Sequence, residues 1–264
     1  MKLYVIVCLF FSNICFGQNW WGEAMVGVAA YNGDLTQQLI SFKRLNPVLN
    51  LNVKYSSGDF FDIRAGIGIG KLSADDKDNN SPFLKARNLN FKTAILEFNV
   101  SAEFNLLDPE IYDQYPYLFA GVGFFHFNPY TFDDNNKKIY LRPLSTEGEG
   151  LAEYPKRKQY SLIQPCFPVG IGFKMKVKQR WLLSYEFGYR ILFTDYLDDV
   201  SKTYVSIETL SLRKGDEAGE LSYRKIGVPF SEEGFPRGNS KVKDYYFFTG
   251  VKLAYNMSRP KKVY

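Results

Sequence analysis

Eight segments of this chain alternate apolar and polar residues at every second position, a pattern that is typical of β-strands. Residues 96–104, for example, read Leu-Glu-Phe-Asn-Val-Ser-Ala-Glu-Phe. Successive side chains of a strand point to opposite faces of a sheet, so each segment has one apolar and one polar face. The fold class is therefore all-β, and two architectures are open, a soluble sandwich and a membrane barrel.

The alternation predicts eight strands. Their approximate bounds are Glu23–Leu35, Asn46–Tyr55, Phe60–Leu72, Thr93–Leu106, Tyr115–Phe127, Gln164–Val177, Trp181–Thr194 and Tyr245–Met257. Each strand reaches the roughly 9–11 tilted residues that are needed to cross a bilayer. The mean hydropathy of −0.24 agrees with such a barrel, because half of the residues in its strands face inward.

The connections between these strands alternate short and long, which favours the membrane barrel. Three are short (56–59, 107–114 and 178–180) and four are longer (36–45, 73–92, 128–163 and 195–244). In an up-and-down barrel, alternate connections emerge on the same side, and outer-membrane barrels have short periplasmic turns and long outer loops. The sequence thus predicts an eight-stranded antiparallel up-and-down transmembrane β-barrel with short periplasmic turns and long extracellular loops. The aromatic content of 17% suits girdles at both membrane interfaces.

The first 17 residues have the features of a secretory signal peptide. Lys2 precedes an apolar run over residues 3–11, and the small Gly17 comes directly before Gln18. The remaining residues, 18–264, are expected to form a single barrel domain in the cell outer membrane, in contact with its lipids. The net charge of +5 is mild and dispersed, so we expect no nucleic-acid partner.

The polar faces of the strands carry charges of both signs, which would lie inside the barrel. The expected lumen network contains Arg64, Glu97, Glu103, Lys174, Glu186 and Arg190, and the same faces carry Lys54, Asp62, Lys176 and Lys252. Eight strands enclose an interior that side chains can fill, and buried charges persist when they are paired. We interpret these residues as a structural plug, with an ion or substrate path as the alternative.

The sequence contains no motif that fixes a catalytic, cofactor or metal site. His126 is the only histidine, and no spacing joins it to a serine and an aspartate as in a triad, so a place in an aromatic belt is its simpler interpretation. Asp195, Asp198 and Asp199 offer oxygen ligands for calcium, but their spacing is not that of an EF-hand loop. We expect no enzymatic activity, no cofactor and no metal.

Four segments carry a more specific signal than the alternation. They read Tyr117-Leu-Phe-Ala-Gly-Val-Gly-Phe-Phe-His-Phe-Asn-Pro129, Pro143-Leu-Ser-Thr-Glu-Gly-Glu-Gly150, Pro168-Val-Gly-Ile-Gly-Phe173 and Thr194-Asp-Tyr-Leu-Asp-Asp-Val-Ser201. In this order they resemble the PorG family of outer-membrane barrels in Bacteroidota. The resemblance implies a part in the type IX (Por) secretion machinery, which in gliding species also supports motility. It implies contact with the periplasmic ring of the PorK lipoprotein and PorN, and it assigns no catalytic residue.

We therefore expect a non-enzymatic barrel that anchors or stabilises the secretion ring. Its best candidate contact is the longest periplasmic turn, with Asp108, Glu110 and Asp113. Glu147 lies in a glycine-rich stretch of the third outer loop, where a solvated turn is the default interpretation. The sharper hypothesis is a folded cap over the barrel mouth that is clasped to residues 195–201 of the fourth loop. Two alternatives stay open, a small channel and a surface-binding barrel that uses its long loops.

Overall fold

The computed structural model describes residues 20–36, 43–57, 60–225 and 233–258. The strands in these ranges are β1 Trp20–Asn32, β2 Asn46–Ser56, β3 Phe61–Asp75, β4 Asn90–Asn105, β5 Gln114–His126, β6 Tyr130–Phe132, β7 Lys138–Tyr140, β8 Ile163–Lys178, β9 Trp181–Leu192 and β10 Tyr245–Asn256. The α-helices are α1 Pro82–Arg87, α2 Ile207–Lys214 and α3 Asp216–Ser222. The expected signal peptide and the six residues after Ser258 lie outside the described ranges.

Eight of the strands, β1–β5 and β8–β10, form a closed antiparallel barrel. Each pairs with its neighbour along the chain, β5 pairs with β8, and β1 pairs with β10 to complete the circle. A Cβ added to Gly27 on β1 would lie 2.0 Å from the carbonyl oxygen of Thr249 on β10, so a glycine is needed where the first and last strands meet. The structure confirms the predicted fold class, and the predicted strand ends differ from the observed ones by no more than three residues.

The exterior of the barrel is an apolar belt. Its outward side chains include Val26, Leu51, Ile63, Ile67, Ile69, Leu96, Phe98, Val122, Phe124, Ile171, Tyr185 and Val251. Aromatic pairs such as Phe61–Phe104 and Trp181–Tyr255 lie near the end with the short turns. The pairs Phe167–Phe193 and Tyr189–Tyr245 lie near the end with the long loops. This apolar band with aromatic residues at both ends has the surface chemistry of a lipid-facing barrel wall. Separately, the helices in the described ranges are too short or too polar to cross a membrane.

The described parts of the long outer loops fold into a cap over one end of the barrel. The hairpin β6–β7 and the helices α1–α3 belong to this cap. Its buried apolar residues include Leu35, Leu89, Ile139, Leu141, Leu144, Leu151, Leu197, Val205, Leu210 and Leu221. They are continuous with aromatic rings in the outer half of the lumen, Phe91, Phe125, Phe127, Tyr246 and Phe248. The apolar core therefore lies in the cap and in the half of the lumen next to the cap, the upper lumen. The half of the lumen next to the short turns, the lower lumen, is charged.

Candidate functional site

The lower lumen is filled by a network of ion pairs centred on Glu103. Its carboxylate lies 2.8 Å from Arg64, 2.6 Å from Lys174 and 3.4 Å from Lys252. Glu186 pairs with the same Arg64, with 3.0 Å between Nη2 and Oε1, and lies 2.9 Å from Lys252. These five side chains come from β3, β4, β8, β9 and β10, so the network ties opposite walls of the barrel together.

A second group of charges lies between this network and the cap. The Glu97 carboxylate accepts hydrogen bonds from Arg190 Nε at 3.1 Å and from the Tyr246 hydroxyl at 2.6 Å. Asn99 donates a third hydrogen bond to Glu97 at 2.9 Å. The structure thus brings together all six residues expected in the lumen network, but as two groups rather than one.

Two lumen residues differ from the sequence-based expectation. Glu23 is buried inside the barrel, 3.0 Å from Lys54 and 3.3 Å from Lys252, and it was missed because its strand carries Met25 and other apolar residues on the same inner face. Lys176 was expected inside but lies at the periplasmic mouth, where its side chain is 36% exposed and 3.5 Å from Asp113. At a strand end the side chain leaves the enclosed lumen and reaches water, which solvates the charge.

The buried charges of the lumen balance each other. Within the described ranges the barrel wall contributes five buried carboxylates and five buried cations to the interior: Glu23, Asp62, Glu97, Glu103 and Glu186 against Lys54, Arg64, Lys174, Arg190 and Lys252. None of the ten residues is more than 4% exposed. Each of these charges is stable in the interior only while its partner is present, because removal of one partner leaves an uncompensated charge in a low-dielectric site.

Glu147 clasps the third outer loop to the fourth. Its carboxylate accepts hydrogen bonds from the backbone N–H groups of Ser201 at 2.9 Å and Lys202 at 2.8 Å. It also lies 3.1 Å from the buried guanidinium of Arg237. The Asp199 carboxylate completes the clasp, because it accepts a hydrogen bond from Thr146 at 2.6 Å. These contacts hold the glycine-rich stretch against residues 195–201, as in the hypothesis of a folded cap and unlike a solvated turn.

The first, second and fourth loops are joined by Arg87, which the sequence did not single out. Its guanidinium lies 2.7 Å from the Asp76 carboxylate and donates hydrogen bonds to the carbonyl oxygens of Asp34 at 2.9 Å and Arg237 at 2.5 Å. Arg87 is only 2% exposed, and Asp76 is fully buried. The cap is thus a cross-linked unit and not a set of independent loops.

The residues considered for catalysis or calcium are not assembled into one site. His126 is exposed at the outer end of β5, where it pairs with Leu96 and Ile163 on the neighbouring strands. Asp195 accepts a hydrogen bond from Ser201 Oγ, and Asp198 accepts one from the Tyr31 hydroxyl. In the described ranges no group of three or more histidine, cysteine, aspartate or glutamate residues is arranged to hold a metal ion.

Several buried carboxyls of the cap have raised pKa values. Burial, together with the charges of Asp199 and Glu147, raises the pKa of Glu149 to about 8. Burial is also the main cause that raises the pKa of Asp195 to about 7 and that of Asp199 to about 6. Each of these groups holds its proton more tightly in the folded cap than in an unfolded chain, so the folded cap binds more protons.

We therefore expect the cap to become less stable as the pH rises from about 4 to about 8, the interval between the ordinary and the raised pKa values. Cleavage of the cap by an added protease should be at least about tenfold faster at the upper end of this interval than at the lower end. Each unit by which folding raises a carboxyl pKa corresponds to about 1.4 kcal/mol, a tenfold change in the opening equilibrium. Cleavage rates corrected for the protease's own pH profile provide the measurement. In the Glu149→Gln variant, whose amide does not titrate, the cleavage rate should depend less on pH. If its pH dependence equals that of the unchanged protein, Glu149 does not contribute to the loss of cap stability.

The predicted periplasmic contact lies on an exposed turn. The Asp108 carboxylate accepts a hydrogen bond from the backbone N–H of Glu110 at 2.8 Å, so Asp108 holds the shape of the turn. The side chains of Glu110 and Asp113 are exposed, and Ile111 between them is 72% exposed. Glu110 is therefore available to a partner, and so is Asp113, which stays 82% exposed beside Lys176, whereas Asp108 is partly used within the turn.

The solved structures to which this chain is similar include a surface protein and outer membrane proteins. The Neisserial surface protein A is 8% identical over 89% of this chain and 96% of its own, with a TM-score of 0.44. A major outer membrane protein from Thermus thermophilus is 12% identical over 89% and 98%, with a TM-score of 0.44. The outer membrane protein OprG from Pseudomonas aeruginosa is 9% identical over 91% and 98%, with a TM-score of 0.39.

The sequence comparisons give a family but no described function. No curated protein matches the sequence. A family model described as a domain of unknown function, DUF6089, matches residues 1–217, which include every barrel strand except β10 and most of the cap. The chain therefore belongs to the DUF6089 family.

Proposed function

We propose that this protein is a non-enzymatic β-barrel of the cell outer membrane that anchors or stabilises the periplasmic ring of the type IX protein secretion machinery. The observation that carries the proposal is a barrel that is filled by paired charges below and closed by a folded cap above. Such a barrel is built to hold a fixed shape in lipid while it presents its periplasmic turns.

The exterior surface supports insertion into the outer membrane. Closure of the barrel pairs all of its strand edges, which a structure in lipid requires. The outward side chains of the belt are apolar, and an apolar surface of this extent in water would be an aggregation hazard. Outer-membrane lipids are therefore the first partner that we assign to this protein, with the short turns in the periplasm.

The filled lumen argues against the channel alternative. Passage of a solute would require Arg64 and Lys174 to separate from Glu103, and each is buried with its charge paired. Breaking such a pair leaves an unpaired buried charge, at a cost of about 3–5 kcal/mol. A role as a scaffold needs no such opening.

The identity of the periplasmic partner rests on the resemblance to the PorG family, which implies the PorK lipoprotein and PorN. The exposed turn between β4 and β5 supports this part of the proposal. It offers the charged side chains of Glu110 and Asp113 together with the apolar Ile111, a combination that suits a protein contact with an apolar centre and a polar rim.

Co-purification of the ring from solubilised outer membranes tests the proposal. The double variant Glu110→Lys and Asp113→Lys should co-purify with at most about one tenth of the PorK and PorN that the unchanged protein brings down, because like charges at an interface cost several kcal/mol. Asp108 stays unchanged so that the turn keeps its hydrogen bonds.

The matched control reverses the charge of two exposed carboxylates at the opposite end of the barrel, with Asp134→Lys and Glu220→Lys in the cap. It should retain the ring as the unchanged protein does. If the unchanged protein itself brings down no ring component, the type IX assignment is wrong. If the turn variant and the cap variant retain the ring equally, the contact lies elsewhere than on this turn.

A surface-binding role is the second candidate, and a recess on the outer cap favours it. The recess has a volume of about 810 Å³ and lies between the β6–β7 turn and the helices α2 and α3. Its lining includes Asp133, Asp134, Asp216, Glu217 and Glu220. Deletion of residues in this part of the cap tests this role. If the deletion abolishes attachment to an external ligand while secretion continues, the surface-binding role is supported over the ring anchor.

A further inference from the structure

Two lysines mark the outer edge of the apolar belt on neighbouring strands. Lys71 on β3 lies opposite Ala94, and Lys92 on β4 lies opposite Ser73, so the two lysines are diagonal neighbours on the same exterior face. Both are exposed. Directly below them on this face, Ile69 pairs with Leu96 in the belt. Lys92 lies four residues above Leu96, about 13 Å along the strand, which is beyond the apolar surface.

The β6–β7 hairpin extends this face above the barrel. Tyr130 pairs with Lys92 on one side and with Tyr140 on the other, and Lys138 pairs with Phe132 two residues along. Because side chains two residues apart share a face, Lys138 and the aromatic rings stand on the same side as Lys92. The Nζ atom of Lys138 is 3.9 Å from the ring centre of Tyr130 and 4.6 Å from that of Tyr140.

No described carboxylate neutralises the positive charge of this surface. In the described ranges, Lys71, Lys92 and Lys138 form no ion pair with a carboxylate. The nearby Asp133 carboxylate accepts hydrogen bonds from the backbone N–H groups of Asn135 and Lys137 in the hairpin turn. We name the surface formed by Lys71, Lys92, Lys138, Tyr130 and Tyr140 the rim patch.

We propose that the rim patch binds the phosphate group of an outer-leaflet lipid. Lysine ammonium groups are point-charge partners for phosphate, and tyrosine rings are enriched at the level of lipid headgroups. The position of the patch selects a lipid over a soluble anion, because its lower edge continues into Ile69 and Leu96, along which acyl chains can lie. This inference rests on the proposed outer-membrane insertion and assigns a lipid contact to one side of the barrel.

Lipid retention from vesicles tests the inference. The full barrel is inserted into phosphatidylcholine vesicles that contain a minor fraction of phosphatidic acid, then extracted in mild detergent, and the phosphatidic acid that remains bound is counted by native mass spectrometry. The triple variant Lys71→Gln, Lys92→Gln and Lys138→Gln should bind phosphatidic acid about 100-fold more weakly, since each lysine near an anionic surface contributes roughly fivefold.

The matched control removes three exposed lysines from other parts of the cap, with Lys156→Gln, Lys158→Gln and Lys241→Gln. It should retain phosphatidic acid as the unchanged protein does, and an equal loss would show general charge attraction and overturn the inference. Displacement of the lipid by excess inorganic phosphate would identify an anion site and would also overturn it. If the barrel inserts but retains no phosphatidic acid, this inference alone fails; if the barrel does not insert, the proposed function fails with it.

Discussion

Replacement of Glu103 by glutamine should lower the free energy of unfolding of the barrel by about 3–5 kcal/mol, the usual cost of removing one partner from a buried ion network. Glu103 is fully buried, and its carboxylate lies within 4.0 Å of Arg64, Lys54, Lys174 and Lys252. Glutamine keeps the size of the side chain but leaves the surrounding cations with too little negative charge. Urea unfolding of the barrel in vesicles, followed by the mobility shift of folded and unfolded barrel on a gel, measures the change.

The control for this variant is Glu220→Gln, which removes a carboxylate from the exposed surface of the cap. Its unfolding midpoint should equal that of the unchanged protein. The double variant Glu103→Gln and Lys174→Met should recover part of the lost stability, because it also removes one of the cations left without a partner. A Glu103→Gln barrel as stable as the control would mean that the ion network does not hold the barrel walls together.

Replacement of Glu147 by alanine should open the cap and leave the barrel folded. The change removes the acceptor for two backbone N–H groups and leaves the guanidinium of Arg237, only 2% exposed, without its carboxylate partner. The expected loss is about 3–5 kcal/mol of local stability in the cap. Cleavage by trypsin after Arg213 or Lys214, at the C-terminal end of α2, should become at least about 100-fold faster, because cleavage of a locally opened segment follows the free energy of opening.

The matched control is Glu153→Ala, which changes a glutamate of the same outer loop that pairs with Arg213 at the surface. Because Glu153 contacts Arg213 itself, the comparison uses cleavage after Lys214, which should be no faster in this variant than in the unchanged protein, since exposed pairs contribute little. The gel mobility of both variants reports whether the barrel is intact. Equal cleavage rates in the Glu147→Ala variant and the unchanged protein would contradict the role of Glu147 as a clasp.

The strands of this protein are readable from the sequence because the signal is local. A strand that is lipid-facing on one side and polar on the other repeats every two residues, and no distant contact is needed to recognise it. The lumen charges on β4, such as Glu97 and Glu103, stand out among apolar neighbours, and the structure has both inside the barrel. Glu23 escaped notice because β1 places Met25 and Ala29 on its inner face, where they meet the apolar core of the upper lumen.

The cap is different, because its stabilising contacts join residues that are far apart in the chain. Glu147 meets Arg237 across 90 positions, and Asp199 accepts a hydrogen bond from Thr146 across 53. The sequence suggested the clasp only through one glycine-rich stretch, and it gave no sign of Arg87, whose partners lie on three loops. A charged residue in a loop has the same appearance in the sequence whether it is solvated or buried.

The sequence by itself determined the number of barrel strands, the face that each turns to lipid and the side on which the long loops emerge, because these follow from a two-residue period and from loop lengths. Only the tertiary structure decided which charges meet inside the barrel, how the loops are tied into one cap and where the lysines of the rim patch stand. Those arrangements depend on strand register and on contacts between distant segments, and such contacts leave no periodic trace in the chain.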